Sequence, residues 1–440
     1  MCQLDAQSLF ALPPLKAHFL AGGHCSAVCR ARCGSTWSTA TQAPAPAAAP
    51  CLACELDSAF QAAFTPSVAP SGGAAAQVVK SGASAAAPHG RCPWSPHALL
   101  LAWWRHAESL ASYQQQDAHE FLLTLIAGAH AAVAPSRALS GGGGVSTPRV
   151  VVSTPRGAAA SWAALAPDAC TCPMHATLAG VLRSEVQCAT CGAISAVCDP
   201  FLDLSLEVTS GGEGNSQHGS NGAQASSPPV VRLSTCLRRF TRRESLGPGE
   251  HINCGTCGTR QPGTKHMCVD RLPPVLCLHI KRFSHAGGAA KGGNGGGGKA
   301  SGGAGDGGGV LGGAAARGSS KVTTHVAFPL DCLDMAPYTA QGLATDAHLR
   351  GVPRLGADGL SGGAGAGGDV DGSSKYWCAA VVCHLGSMDG GHYVAFVRHH
   401  GLWFKCDDSW VTPATPQEVA ASQAYLLFYA AHGQAAGVAT

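Results

Sequence analysis

Two Cys-x-x-Cys-Gly pairs constrain the fold of this chain more than any other feature of its sequence. The first pair is Cys188 and Cys191, and the second is Cys254 and Cys257. Two such pairs supply the four thiolates of a tetrahedral zinc site, and the glycine after each pair permits a turn that directs backbone amides toward sulfur. The pairs are far apart in the sequence, but the tips of two hairpins of one sheet can lie side by side. The sequence therefore predicts one structural zinc site that joins two distant segments.

The cysteine content favours metal binding over disulfide bonds. The chain has 21 cysteines, several of them in Cys-x-x-Cys pairs, and its N-terminus carries Asp5 without the basic and apolar regions of a signal peptide. Such spacings in a reducing compartment indicate metal sites. No apolar run reaches the roughly 18 residues of a membrane helix, so we expect a soluble, intracellular chain without membrane contact. A net charge of +3 with 12% charged residues gives no signature of direct nucleic-acid binding.

Two further groups of cysteine and histidine predict additional zinc sites. The first group is His24, Cys29, Cys51 and Cys54. Cys25 and Cys33 compete with its first two ligands, so its ligand set stays open, and free buried thiols are the alternative. The second group is Cys170, Cys172, His175 and the candidate fourth ligand His130. Ordinary core thiols are the alternative for that group.

A predicted hairpin late in the sequence carries one histidine and two acids. Residues 391–398 and 403–406 are rich in aromatic and β-branched side chains and flank a short turn, which is typical of two antiparallel strands. His392 begins the first strand, and Asp407 and Asp408 follow the second, so the hairpin brings them together. An imidazole beside a carboxylate is the orienting part of a Cys-His-Asp site, in which the histidine activates a thiol. A surface hairpin with an incidental histidine is the alternative on this stretch alone.

The order of the predicted elements indicates an α+β fold. Helical periodicity dominates the early part of the chain, where a first helix is expected to end near Pro13, and strand patterns dominate from about residue 199 onward. Segments rich in glycine, alanine or serine interrupt this core and are predicted to be disordered inserts. The inserts are 134–168, 209–228, 286–319 and 355–374. Without them, helices followed by strands remain, the pattern of an α+β fold.

Several motifs, in one order along the chain, resemble those of the ubiquitin-specific protease family. They are a Gln-rich box at 113–122 (YQQQDAHEFL), the two Cys-x-x-Cys pairs, a palm strand at 278–283 (LHIKRF), a His box at 390–396, and closing motifs at 403–408 and 425–429. The two further cysteine-histidine groups and the WWRH run at 103–106 are similar to the subgroup that serves as deubiquitinase of the SAGA transcriptional coactivator. The resemblance implies a papain-like α+β domain over 1–434, with thumb, palm and zinc-bearing fingers, and a tail at 435–440.

The resemblance also implies an activity, which is thiol-dependent hydrolysis of the isopeptide bond at the C-terminal glycine of ubiquitin. His392 would be the general base, Asp407 would orient it, and Asp408 would assist near the oxyanion or the thiol. Zinc would be structural in all three cysteine groups. The implied partners are ubiquitin, ubiquitinated proteins such as monoubiquitinated histones, and coactivator subunits in the nucleus. Without the subgroup resemblance, the expected location is cytoplasmic.

The nucleophile departs from the family's pattern. The family places a cysteine seven residues before the position that Gln7 resembles, whereas Cys2 stands five residues before it. A slip of two residues turns a side chain by about 200° around a helix, away from His392. We therefore expect the sequence to lack the N-terminal part of the domain, including its nucleophile. The alternatives are Cys2 as nucleophile, an inactive ubiquitin-binding scaffold, a zinc-containing adaptor of a chromatin complex, and a hydrolase of another ubiquitin-like modifier.

Overall fold

The computed structural model describes most of the segments that carry these motifs. The described residues are 8–21, 29, 51–64, 95–111, 116–133, 150–154, 172–208, 230–247, 249–284, 320–349, 374–387 and 390–432. Several predicted features lie outside them. These are Cys2, His24, Cys170, the inserts 209–228 and 286–319, the insert 355–374 except Ser374, and the tail 435–440.

Most helices precede the strands of the largest sheet, which confirms the α+β class. The α-helices are α1 (Pro13–Leu20), α2 (Leu52–Phe64), α3 (His97–His106), α4 (Ala118–Val133), α5 (Pro173–Leu178), α6 (Leu233–Phe240), α7 (Ala340–Leu349) and α8 (Pro416–Ala420). Short 3-10 helices occur at Glu108–Leu110 and Ala336–Tyr338. In the described part of the chain, no helix is long and apolar enough to cross a membrane.

The strands fall into two main sheets and three two-stranded sheets, of which the pair of β5 and β13 is parallel. They are β1 (Val150–Thr154), β2 (Gly180–Cys188), β3 (Ile194–Phe201), β4 (Leu204–Glu207), β5 (Val230–Arg232), β6 (Glu244–Ser245), β7 (Ile252–Cys254), β8 (Thr259–Gln261), β9 (Gly263–Arg271), β10 (Val275–Lys281), β11 (Phe283–Ser284), β12 (Ser320–Lys321), β13 (His325–Ala327), β14 (Leu333–Asp334), β15 (Lys375–Gly386), β16 (Gly391–His399), β17 (Leu402–Asp407), β18 (Trp410–Ala414) and β19 (Ala424–Ala431).

A first helical segment, described at residues 8–10, ends before Pro13, near the position that the sequence pattern predicted. A second helix, α1, then begins at Pro13, and the sequence pattern did not predict this start. A proline in the first turn loses no hydrogen bond, because the N–H at that position has no partner inside the helix, and its fixed φ suits a helix start. The new helix buries Leu15 and Phe19.

The early helices form a layer with an aromatic core. The rings of Phe19 and Phe60 stack with 4.7 Å between centroids. Trp103 lies 4.6 Å from Phe121 and donates its indole N–H to Thr124 Oγ1 at 2.8 Å. The same hydrophobic cluster includes residues of β10, β15, β16 and β19. The helical layer therefore packs directly on one face of the large sheet, where burial of apolar surface holds the two together.

The large sheet has the strand order β18-β17-β16-β15-β19-β10-β4, with β14 paired to β15 off this path. Its strand pairs are antiparallel except for β10 with β4, which is parallel. Alternate residues of β15 enter two different cores. Val382 faces the helical layer, and Val381 faces a second core that includes Val419 of α8. The sheet is thus covered on both faces, except at the edge near β18.

A five-stranded sheet with the order β1-β3-β2-β9-β6 forms the second structural unit of the chain. Its strand β2 ends at Cys188, and the separate hairpin of β7 and β8 begins its turn at Cys254. Strand β1 lies inside the segment 134–168 that was predicted as a disordered insert, and it pairs with β3. Three consecutive valines at 150–152 favour this extended backbone. The remaining residues of that segment lie outside the described ranges.

Candidate active site and metal centres

His392 and Asp407 are joined by a short hydrogen bond. His392 lies at the start of β16 and Asp407 at the end of β17, and the two strands pair in antiparallel register. The distance from His392 Nε2 to Asp407 Oδ1 is 2.6 Å, and the side chains are 46% and 36% exposed. With its proton on Nε2, the imidazole donates to the carboxylate and keeps Nδ1 as a lone-pair acceptor. The site can therefore accept a proton from a thiol on the side away from Asp407.

The carboxyl of Asp407 stays ionised near neutral pH. The hydrogen bond from His392, followed by one from Lys405, holds the pKa of Asp407 below its usual range. Lys405 Nζ lies 3.1 Å from Oδ2, the oxygen that His392 does not use. The two partners thus fix both oxygens of the carboxylate, and the negative charge faces the imidazole.

Asp408 follows in the turn between β17 and β18. Its backbone has a φ of 50°, in the left-handed region, and its side chain is exposed. Its carboxylate lies in one cluster with His392 and Asp407. The imidazole of His392 donates its short hydrogen bond to Asp407, the acid that the resemblance predicts to orient it. Among the described side chains, this cluster contains no cysteine.

A buried histidine packs behind the strand that carries His392. His384 of β15 is 4% exposed, and its ring lies against Gly391. Tyr393 and Phe283 flank the same ring, with centroid distances of 4.7 and 5.1 Å. Burial lowers the pKa of His384 to about 4, so its imidazole is neutral at physiological pH.

The Gln-rich box meets the sheet next to this site. Asp117 precedes α4 and accepts the backbone N–H of His119 at 2.7 Å through Oδ1, which caps the helix. Its other oxygen, Oδ2, accepts the hydroxyl of Tyr425 at 2.6 Å. The hydroxyl of Tyr393 accepts the N–H of Ala118 at 3.4 Å. Two of these hydrogen bonds, from Tyr425 and to Tyr393, therefore fix the start of α4 against β19 and β16.

The four cysteines of the two Cys-x-x-Cys pairs meet as predicted from their spacing. Cys188 Sγ lies 3.9 Å from Cys257 Sγ, and Cys191 Sγ lies 3.5 Å from Cys254 Sγ. Backbone N–H groups point at sulfur, led by that of Cys191, and lower the pKa of Cys188 to about 6. A similar set, led by the N–H of Cys257, lowers the pKa of Cys254. Four convergent sulfurs with thiolate-stabilising amides fit a tetrahedral metal ion.

Two further clusters also have metal-binding geometry. Cys29, Cys51 and Cys54 converge beside α2, and all three are buried. Their predicted partner His24 lies outside the described residues. Burial is the main cause that raises the pKa of Cys51 and Cys54, so without a cation these thiols stay protonated.

The third cluster joins α4 to α5. Cys172 Sγ lies 3.3 Å from His130 Nδ1 and 3.0 Å from His175 Nδ1. The fourth predicted member, Cys170, lies outside the described residues. The structure therefore brings together three of the four side chains in this group, and His130, the candidate fourth ligand, is one of them.

A family model described as ubiquitin carboxyl-terminal hydrolase matches residues 4–429, nearly the whole chain. The chain belongs to the ubiquitin carboxyl-terminal hydrolase family. Ubiquitin C-terminal hydrolase 22 of Arabidopsis thaliana is 30% identical over 436 residues, which is 98% of this chain and 62% of that protein. Ubiquitin carboxyl-terminal hydrolase 22 of Homo sapiens is 33% identical over 350 residues, or 77% of this chain and 54% of that protein. The chain thus matches 54–62% of the length of these relatives.

Solved structures of this family show the same fold. The SAGA DUB module of Ubp8, Sgf11, Sus1 and Sgf73 bound to ubiquitin aldehyde matches with a TM-score of 0.56 and 22% identity, over 97% of this chain and 66% of that chain. A yeast SAGA DUB module with a mutant Sgf73 also has a TM-score of 0.56 at 22% identity, over 97% and 65%. The papain-like architecture of the family is thereby confirmed. Helices α1–α5 form the thumb, the large sheet the palm, and the five-stranded sheet the fingers.

One polar cluster of this family domain was not predicted from the sequence. His119 Nε2 lies 3.0 Å from Asp203 Oδ2, and the rings of His119 and His279 stack at 3.9 Å. His279 Nδ1 lies 2.8 Å from Ser205 Oγ. Burial, followed by the charge of His119, lowers the pKa of His279 to about 4. The parallel pairing of β4 with β10 creates this contact, and each strand pattern alone carries no signal of that pairing.

Proposed function

We propose that this chain is a cysteine-type deubiquitinase that hydrolyses the isopeptide bond at the C-terminal glycine of ubiquitin. The observation that carries the proposal is the 2.6 Å hydrogen bond between His392 and Asp407 in a chain of the ubiquitin carboxyl-terminal hydrolase family. An oriented imidazole with a free Nδ1 is the group that a thiol nucleophile needs.

The proposed reaction proceeds through an acyl-enzyme. A cysteine thiol gives its proton to His392 Nδ1, and the thiolate attacks the glycine carbonyl to form a carbon–sulfur bond. The tetrahedral intermediate collapses, the carbon–nitrogen bond breaks, and His392 returns the proton to the leaving lysine amine. Water then adds to the thioester and gives a proton to His392. The carbon–sulfur bond breaks, His392 returns its proton to the sulfur to restore the thiol, and the released carboxylic acid gives its own proton to solvent as the ubiquitin carboxylate leaves.

Asp407 and Asp408 have separate proposed roles in this reaction. Asp407 keeps the imidazole in the required tautomer and stabilises the imidazolium that forms. Asp408, exposed in the adjacent turn, assists near the oxyanion or the thiol. Cys2, the nucleophile candidate that the sequence offers, lies outside the described residues, so the experiment below locates the nucleophile directly.

Zinc is the proposed metal of all three cysteine clusters. The fingers cluster is the set of four cysteines Cys188, Cys191, Cys254 and Cys257, and its four sulfurs suit that ion. The sulfur and imidazole donors of the other two clusters suit it as well. A site with four protein ligands has no open position, so the zinc would stabilise the fold and take no part in hydrolysis. The fingers cluster would fix the hairpin of β7 and β8 to the end of β2.

The proposed setting is a nuclear chromatin complex. The solved structures that share the fold are modules of SAGA with partner subunits, and one is bound to ubiquitin aldehyde. The subgroup motifs of the sequence point in the same direction. We therefore propose ubiquitin and monoubiquitinated histones as substrates and coactivator subunits as partners.

The test is reaction with ubiquitin that carries a C-terminal vinyl sulfone, read by intact mass and peptide mapping. The chain, its Cys2→Ser and His392→Ala variants, and a version extended upstream in the transcript are compared. We expect one ubiquitin adduct on one cysteine, which His392→Ala slows by at least about a hundredfold. Peptide mapping then assigns the nucleophile to Cys2 or to another cysteine. Absence of an adduct from every form would overturn the enzyme proposal in favour of a ubiquitin-binding scaffold.

A further inference from the structure

Trp410 is a large apolar side chain that the described fold leaves exposed. It is 72% exposed, more than Leu402 at 65% or Val411 at 57%. It begins β18, the edge strand of the palm sheet, and stands opposite Asp407 in the register of β17 and β18. Residues directly opposite each other in an antiparallel pair project from the same face. The indole therefore lies beside the His392–Asp407 pair.

The side of the His392–Asp407 pair that lies away from Trp410 is also apolar. Leu385 of β15 stands opposite His392 in the register of β15 and β16 and is 44% exposed. The short contact between His392 and Asp407 connects these two cross-strand pairs, so Leu385, His392, Asp407 and Trp410 form a staggered row across four adjacent strands. Single exposed apolar residues are ordinary, but apolar side chains on both sides of a reactive polar pair are typical of a ligand site.

The two ends of this row differ in side-chain bulk. On the β15 side, Gly386 and Gly391 pair next to Leu385 and carry no side chains, which suits close approach of the diglycine tail of ubiquitin. The acyl group and the leaving amine extend in opposite directions from the bond that breaks. With the tail on the glycine side, the lysine and the protein that carries it extend toward β17 and β18, where Trp410 is exposed.

The charges beside Trp410 define the chemistry of its ligand. Asp407 is ionised, and Asp408 adds an exposed carboxylate in the two-residue turn that leads to Trp410. Lys405 Nζ binds Asp407 Oδ2 and offsets one of the two negative charges. An aromatic face next to a carboxylate attracts cationic side chains through cation–π and ionic contacts.

We propose that Trp410 binds a basic segment of the protein that carries the ubiquitylated lysine. This assigns Trp410 to acceptor specificity and deepens the proposed function, on which it rests. Trp is enriched among the residues that dominate binding energies, because it buries a large rigid surface. The acceptor segment would lie over the indole while its neighbouring arginine or lysine side chains face Asp408.

The test measures binding in the His392→Ala background, where turnover does not interfere. Three probes are compared by calorimetry. They are free ubiquitin, ubiquitin joined to the lysine of a peptide in which arginines flank that lysine, and the same conjugate with serines in place of the arginines. We expect the arginine conjugate to bind more tightly than free ubiquitin. We expect Trp410→Ala to reduce the ratio of these two affinities about tenfold and Trp410→Phe to restore part of it. The serine conjugate should show a smaller effect.

Leu402→Ala is the matched control, because Leu402 is similarly exposed but lies at the other end of β17, roughly 17 Å away. It should leave the ratio unchanged. An equal loss for free ubiquitin and both conjugates would place Trp410 in the ubiquitin site and overturn the inference, as would no loss at all. Retained acceptor binding without any reaction toward the vinyl sulfone would refute the hydrolase proposal while leaving the acceptor site standing.

Discussion

At the residue scale, Gly391 shows how tightly the chain packs behind His392. A Cβ at Gly391 would collide with the His384 ring and lie 2.7 Å from the carbonyl oxygen of Leu385. The start of β16 would have to move, and His392 would move with it. We expect Gly391→Ala to lower kcat for a fluorogenic ubiquitin substrate about a hundredfold, since small displacements of a catalytic group have effects of this size.

The neighbouring glycine supplies the control for this prediction. A Cβ at Gly390 would meet no atom within 4 Å, so Gly390→Ala should retain most of the activity. Circular dichroism would establish that both variants are folded. Similar kcat values for the two variants would show that the contact with His384 does not position His392.

The charge of Asp407 is the second feature whose effect belongs to a single residue. Asp407→Asn keeps a hydrogen-bonding oxygen but removes the negative charge that stabilises the imidazolium. We expect kcat/KM to fall by about 10²–10⁴. Asp408→Asn should lower kcat/KM less, because the short hydrogen bond of His392 goes to Asp407. A larger loss at Asp408 would reverse the roles proposed for the two acids.

At the element scale, the fingers cluster and the 2.6 Å hydrogen bond from Thr190 Oγ1 to Gln261 Oε1 connect the β7–β8 hairpin to the turn after β2. The pair of β7 and β8 is separate from the five-stranded sheet, and the cysteine cluster links it to β2. We expect Cys254→Ser to reduce the zinc content by about one ion per chain and to lower Tm by several degrees. Elemental analysis and thermal denaturation provide the measurements. Cys332→Ser, which changes an exposed cysteine outside every described cluster, should alter neither quantity.

The sequence predicted those elements whose signals are local. The aromatic and β-branched residues of the hairpin of β16 and β17 predicted the two strands that the structure shows, and the spacing of the cysteine pairs predicted the meeting of Cys188 with Cys257. The start of α1 at Pro13 was missed because the proline was taken only as the end of the preceding helix, although proline also begins helices. Strand β1 was missed because the glycines near it suggested a disordered insert. The strand signal of the three valines at 150–152 was therefore not considered.

The cluster of His119, Asp203 and His279 was missed for a different reason. Its members come from α4, from the residue before β4, and from β10, and only the tertiary structure brings them together. Its formation depends on a parallel strand pair, which requires a long crossover and leaves no signal in either strand. The roles of the individual active-site residues likewise came from the resemblance, and they stay predictions.

At the scale of the whole molecule, Asp117 and Tyr425 connect the thumb to the palm. Tyr425 is almost fully buried, and its hydroxyl bonds to the carboxylate that caps α4. Tyr425→Phe should lower the free energy of unfolding by about 1–2 kcal/mol. Asp117→Ala should cost about 1 kcal/mol more, because it also removes the cap. Urea denaturation measures both, and equal losses would mean that the cap contributes nothing.

The stability of the whole domain should depend on pH. Burial lowers the pKa of His279 and of His384 to about 4, whereas histidines of an unfolded chain titrate near 6.5. Between these values the unfolded chain binds more protons than the folded one, so stability is lost as the pH falls from about 6.5 to about 4. The lowered pKa of Asp203 and Asp407 acts in the same direction at still lower pH.

We therefore expect the urea midpoint to decrease between about pH 7 and pH 5. His279→Asn keeps a polar group near Ser205 but does not titrate. It should therefore reduce the slope of the unfolding free energy against pH by the equivalent of up to one bound proton. Equal slopes for the His279 variant and the parent chain would refute the assignment of this pH dependence to His279.

The central position of β19 has a consequence for synthesis on the ribosome. β19 is buried along its whole length between β10 and β15, although it follows both of them in the chain. While translation proceeds, β10 and β15 emerge with an unpaired edge where β19 will later lie. Such edges invite contacts with other nascent chains. Chaperones are thus expected to hold the nascent palm until β19 leaves the exit tunnel and closes the sheet.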